Sequence, residues 1–159
     1  MNKAILHKVL NQKETALALY EEALFIYQCL CEENEDVYDT QLAIVSYNLA
    51  VLYASLGKAE KAEEAYERVS GIYRKLMEKF PEIYVKHFEK VSNDFGDFYN
   101  EIGRYDDAAK QYLEAMQAVR NWEKSQNAQK SEEKENVEEI EEKTIQTSKI
   151  KRKWFPWKK

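Results

Sequence analysis

Proline and glycine are scarce in this chain, with two and four residues among 159. Little therefore interrupts regular structure, and long helices are the first expectation. Cysteine is as rare. Cys29 and Cys31 lie one residue apart. With no second Cys or His cluster beside them they make a poor metal pair and read as reduced, inert thiols of a cytoplasmic protein. The two histidines, His7 and His87, fall on separate expected helices, the first packed and the second exposed, which argues against a metal or catalytic centre. Also missing are a Gly-rich phosphate loop, a GxSxG and an HExxH. The chain is expected to be no enzyme and to need no cofactor. No apolar run approaches the ~20 residues of a membrane span. The stretch 1–14 has neither the apolar core nor the cleavage site of a secretory signal.

What the chain does have is charge, aromatic rings and a repeat. Charged residues make up 33% and hydrophobic ones 44%, with eleven tyrosines and six phenylalanines to supply large buried contacts. At this length one domain is expected. The net charge of −5 is unevenly spread: −7 over residues 1–122, −4 over 123–148 and +6 over 149–159. An acidic body makes nucleic acid an unlikely general partner and leaves the basic end as a separate question.

Sliding the sequence on itself by 46 places Tyr38, Val45, Ser46, Tyr53, Gly57, Ala62, Tyr66 and Arg74 on Tyr84, Val91, Ser92, Tyr99, Gly103, Ala108, Tyr112 and Arg120. Backwards, the same shift places Asn48, Ala50, Leu52, Leu56, Ala62, Tyr66 and Tyr73 on Asn2, Ala4, Leu6, Leu10, Ala16, Tyr20 and Tyr27. A fixed period of this size marks a helical array, each unit burying its apolar face on its neighbours. Apolar spacing predicts helices over 1–10, 14–31, 38–55, 59–79, 83–102 and 105–122. Gly57 and Gly103 close the third and fifth, Pro81 stops the fourth, and residues 31–36 form a polar link. The fold expected is all-α: three stacked antiparallel helix pairs in an α-solenoid, with the first pair incomplete at its start. The apolar side of residues 16–30 is then poorly covered, which suggests self-association.

Leu49-Ala50, Tyr53, Gly57, Ala62, Tyr66 and Val69 form an apolar–small pair, an aromatic three later, a turn glycine, then Ala and an aromatic four beyond it. The pattern resembles the tetratricopeptide repeat. Phe95-Gly96, Tyr99, Gly103, Tyr105, Ala108, Tyr112 and Ala115 match it more completely; Ala4, His7, Ala16, Tyr20 and Ala23 match it weakly. The period of 46 rather than 34 is similar to the long-repeat, kinesin-light-chain-like branch. No Trp stands in the first helices, where Ser46 and Ser92 lie near its place, and no closing Pro, where Arg74 and Arg120 stand.

The resemblance implies a protein-binding scaffold or adaptor, with the first helix of each pair lining a concave groove for a peptide or protein segment. Carried over by position, the groove residues are Ile5, Lys8 and Val9, then Ile44, Tyr47, Asn48, Val51 and Ser55, then Lys90, Asn93, Asp94, Asp97 and Glu101. Some relatives clamp a terminal carboxylate with Asn and Lys. Asn48 and Lys90 match part of that set, while Ile5 and Asp94 depart from it. The apolar middle and acidic end of the groove suit a partner with basic residues.

After Trp122 the composition changes. The domains expected are a repeat domain over 1–122, an acidic linker over 123–148 that is partly helical or disordered, and a basic aromatic tail over 149–159. In the tail, Lys151, Arg152, Lys153, Trp154, Phe155, Trp157, Lys158 and Lys159 combine rings with positive charge. They suit an anionic membrane surface, which would make the protein a peripheral tether. Other readings of the tail are single-stranded nucleic acid, the acidic end of a groove, or a flexible end without function.

Overall fold

The computed structural model describes the backbone of residues 3–154 and the side chains of residues 12–34, 37–147 and 149. Among the described residues there are five helices: α1 (Lys3–Glu33), α2 (Glu35–Ser55), α3 (Ala59–Lys79), α4 (Pro81–Glu101) and α5 (Tyr105–Trp154). The chain divides into two compact units, residues 1–119 and 120–159.

The first unit is all-α, as expected, and its consecutive helices pack on one another. The period has a simple origin. Two 21-residue helices, the three residues 56–58 and the single Phe80 make up 46 residues. Accordingly α4 begins 46 residues after α2, and α5 begins 46 after α3. Gly57 and Gly103 take φ of 69° and 80°, where a side chain is strained. Lys58 N–H then reaches back to Tyr53 C=O at 3.0 Å, and Gly57 N–H to Ala54 C=O at 3.0 Å. This Schellman closure satisfies the last carbonyls of α2. Arg104 and Gly103 close α4 in the same way, on Tyr99 and Asn100. Between α3 and α4, Pro81 fixes the break. It cannot be reached by a helix through the preceding residue, so Phe80 adopts φ −139°, ψ 66°, and Pro81 itself becomes the first residue of α4.

The core runs through these helices. Ala43, Leu49, Ala50, Ala62 and Val69 are fully buried, with Phe88, Phe95 and Phe98 beside them. Ala62 and Ala108 are buried, at 0% and 1% exposure. Rings fill the space between helices: Tyr66 stacks on Phe95 at 5.0 Å between centroids, and Phe95 on Tyr99 at 4.4 Å. Such pairs add about 0.5–1.5 kcal/mol each beyond the area they bury.

Two expectations are corrected. Residues 1–10 and 14–31 do not form a helical pair; from Lys3 they belong to the single helix α1. The slot held by Gly57 and Gly103 is Asn11 in this unit, which enters the left-handed conformation less readily than Gly, and Gln12 and Lys13 after it are good helix formers, so the helix continues. The six helices in three pairs are therefore α1 followed by the pairs α2/α3 and α4/α5. The polar link expected at 31–36 also contracts, since only Asn34 lies between α1 and α2. α1 packs on α2 through buried Leu17, the Tyr27–Tyr38 ring pair at 6.5 Å, and a hydrogen bond from Tyr53 Oη to Glu21 Oε1 at 2.5 Å.

In the second unit the helix that opens at Tyr105 continues, past the expected end at 122, to Trp154. Among the described side chains from residue 120 onwards none is buried, and only Trp122 and Gln126 are half-buried. Ion pairs one turn apart, Lys134–Glu138 at 3.9 Å and Glu139–Lys143 at 2.5 Å, support it. No described helix is long and apolar enough to cross a membrane.

Candidate functional site

The first helices of the two pairs, α2 and α4, lie side by side. Between them is a cavity of about 440 Å³, open to solvent. From α2 come Tyr47, Val51, Ala54 and Ser55, spaced to share one helical face; from α4 come Lys90, Asp94, Asp97, Phe98 and Glu101; α3 adds Tyr66 at the base. Seven of the ten groove positions named from the sequence on these helices thus line one cavity. Ile44, Asn48 and Asn93 do not. Ile44 is 49% exposed farther along α2, and the two asparagines are half-buried. The side chains of Ile5, His7, Lys8 and Val9 lie outside the described residues, as do those of the tail positions 151–159.

Three lining residues were not foreseen as such. Phe98 and Tyr66 read as core from their spacing, and both are indeed buried, yet each also turns part of its ring to the cavity. Ala54 lies one turn beyond Val51, so its place on the same face was available from helical spacing.

One wall is tied together by a polar triad. Tyr47 Oη donates to Asp94 Oδ2 at 2.6 Å, and Lys90 Nζ donates to the same oxygen at 2.7 Å. Lys90 also hydrogen-bonds the Tyr47 hydroxyl and lies 4.4 Å above that ring's centroid. Burial works against the Lys90 ammonium, but its bonds to Asp94 and Tyr47 outweigh this and hold its pKa above the usual lysine value. Burial, then the Asp94 hydrogen bond, pushes the Tyr47 phenol up. With Lys90 committed to Asp94, the Asn48–Lys90 pair is poorly set to clamp a partner's carboxylate.

Farther along α4 the same wall is acidic. Tyr112 Oη donates to Asp97 Oδ1 at 2.6 Å and accepts from Asn100 Nδ2 at 2.8 Å. Glu101 has no hydrogen-bond or ion-pair partner among the described residues. At the base, burial and then the carboxylate of Asp94, with the Tyr47 phenol where it ionises and the carboxylates of Glu101 and Asp97, push the Tyr66 phenol well above the ordinary tyrosine value. The cavity thus combines an apolar floor of Val51, Ala54 and Phe98 with a field of negative sign.

Helical pairs repeating at a fixed period, with an open groove between their first helices, define an α-solenoid. The sequence model of the tetratricopeptide repeat matches residues 43–76, and that segment, the later part of α2 with its turn and most of α3, is a tetratricopeptide repeat. No curated protein and no solved structure gives a significant match to the chain.

Proposed function

We propose that this protein is a cytoplasmic adaptor or scaffold of the long-repeat kind, and that a segment of another protein docks in the groove between α2 and α4. It acts by binding and carries out no catalysis. The observation that carries this reading is the cavity itself. The first helices α2 and α4, bridged by the Tyr47–Asp94 hydrogen bond, leave about 440 Å³ between them, with apolar side chains at its floor and Val51 42% exposed. Apolar surface held open by a rigid scaffold is what a docking segment can bury. The test is a displayed peptide library selected on the intact chain. Peptides that bind should lose binding to V51R, while that variant keeps its helical circular dichroism and unfolding midpoint. Peptides that bind V51R as well as the parent overturn the reading.

A second surface supports self-association. On α1, Leu19, Phe25 and Ile26 are 62%, 68% and 49% exposed. Leu19 and Ile26, seven residues apart, share one face of that helix and Phe25 stands on its flank, where a second copy of the chain would cover them.

A further inference from the structure

We infer that the cavity between α2 and α4 receives a lysine or arginine side chain of the docked segment, set beside an apolar neighbour. The inference rests on the groove as the docking site and names the chemistry that the groove selects.

Asp94, Asp97 and Glu101 stand at i, i+3 and i+7, one face of α4, so their carboxylates meet the same space. Lys90 is the one cation among the lining residues, and its charge is spent on Asp94 at 2.7 Å. Asp97 keeps one oxygen beyond the one that Tyr112 donates to, and Glu101 keeps both. The lining therefore offers two carboxylates without a countercharge, at the edge of a floor made of Val51, Ala54 and Phe98. A neutral or acidic partner segment would desolvate those carboxylates with nothing to pair them. A basic side chain meets both features at once: its methylene stem covers the apolar floor, and its charged head pairs with Asp97 and Glu101. An apolar neighbour on the partner then lies against the exposed side of Val51.

The displayed library also tests this inference. Peptides that bind in a V51R-sensitive manner should share a Lys or Arg next to an apolar residue. Replacing that Arg by citrulline, or that Lys by norleucine, should weaken binding about tenfold or more. The double variant D97N/E101Q should show the same loss with the parent peptide and no further loss with the citrulline or norleucine peptide. The amide that D97N introduces keeps an acceptor for the Tyr112 hydroxyl, and an unchanged unfolding midpoint shows that the fold is intact. Binding of the parent peptide should fall with added salt. If V51R-sensitive peptides lack a basic residue, or bind D97N/E101Q undiminished, the groove remains the docking site and the basic pocket is wrong. A library that returns no V51R-sensitive binder overturns both.

Discussion

Gly96 and Gly71 are both helical glycines, and they should answer the same substitution with opposite signs. A Cβ on Gly96 would lie 2.6 Å from Cε1 of Tyr112 and 2.8 Å from its Cζ. The ring cannot simply swing away, because Asp97 and Asn100 hold its hydroxyl. Gly96→Ala should cost about 1–3 kcal/mol in chemical denaturation, the usual penalty for overpacking. In G96A/Y112F, where the ring has lost both tethers, the cost should be smaller than the sum of the single changes. A Cβ on Gly71 meets nothing within 4 Å, so Gly71→Ala should gain about 0.5–1 kcal/mol through the unfolded chain's entropy. Ala50 fills the Gly96 slot of the first repeat without harm, which shows how far a repeat can be read: the slot's small size is legible in the sequence, the closer approach of Tyr112 is not. The same slots explain the serines. Ser46 and Ser92 are 0% exposed, and their hydroxyl oxygens find no partner among the described residues. Ser92→Ala should therefore raise stability by up to about 1 kcal/mol. A loss instead would show that the hydroxyl is bonded.

At the scale of the element, turns were legible where one residue type forces them. Gly57, Gly103 and Pro81 mark their breaks in the sequence, and the helices flanking them begin and end within a few residues of the apolar pattern. The join of residues 3–33 into one helix was not legible, because alignment by period assumes that each unit repeats its turn, and Asn11 does not compel one. The run of α5 beyond 122 was legible only in part, as a linker expected to be partly helical or disordered, since an acidic stretch with few apolar residues has no packing to report. What fastens α1 to α2 is partly polar, and this gives the fold a pH limit. Burial, then the Glu21 carboxylate, pushes the Tyr53 phenol up to about 12. Tyr99, bonded to Glu63 at 2.8 Å, is raised by the same causes. A phenol whose folded pKa exceeds the unfolded value of about 10 holds its proton longer in the folded state. Its contribution is complete below pH ~10 and is lost as the pH rises towards 12. The unfolding midpoint should fall over that window, and less steeply in Tyr53→Phe, which has no phenol to ionise there. A midpoint that is flat from pH 10 to 12 would mean that these tyrosines ionise freely in the fold.

For the molecule as a whole, the question is what a solenoid does where residues 3–33 run as one helix instead of a pair. The 46-residue register places Leu19 in the slot of Ala65, Tyr20 in that of Tyr66 and Ala23 in that of Val69. In α3 these slots are 1%, 4% and 0% exposed; in α1, Leu19 is 62% exposed and Tyr20 and Ala23 are half-buried. The difference is the missing partner: α3 is covered by its own first helix, α2, whereas residues 3–13 extend α1 instead of folding back over it. Apolar side chains left bare this way favour association with whatever apolar surface is present, and in a pure solution that is a second copy of α1. Sedimentation at rising concentration should then show an increasing average mass. Leu19→Lys combined with Phe25→Lys should hold the mass at that of one chain. Neither side chain is buried, so the pair should shift stability little, by about 0.5 kcal/mol or less per site. Salt separates this from association through the acidic groove and the basic residues 149–159: burial of apolar area persists or strengthens in salt, while attraction between opposite charges weakens. A mass that stays constant with concentration, or that rises equally in the L19K/F25K variant, would show that α1 is not the contact.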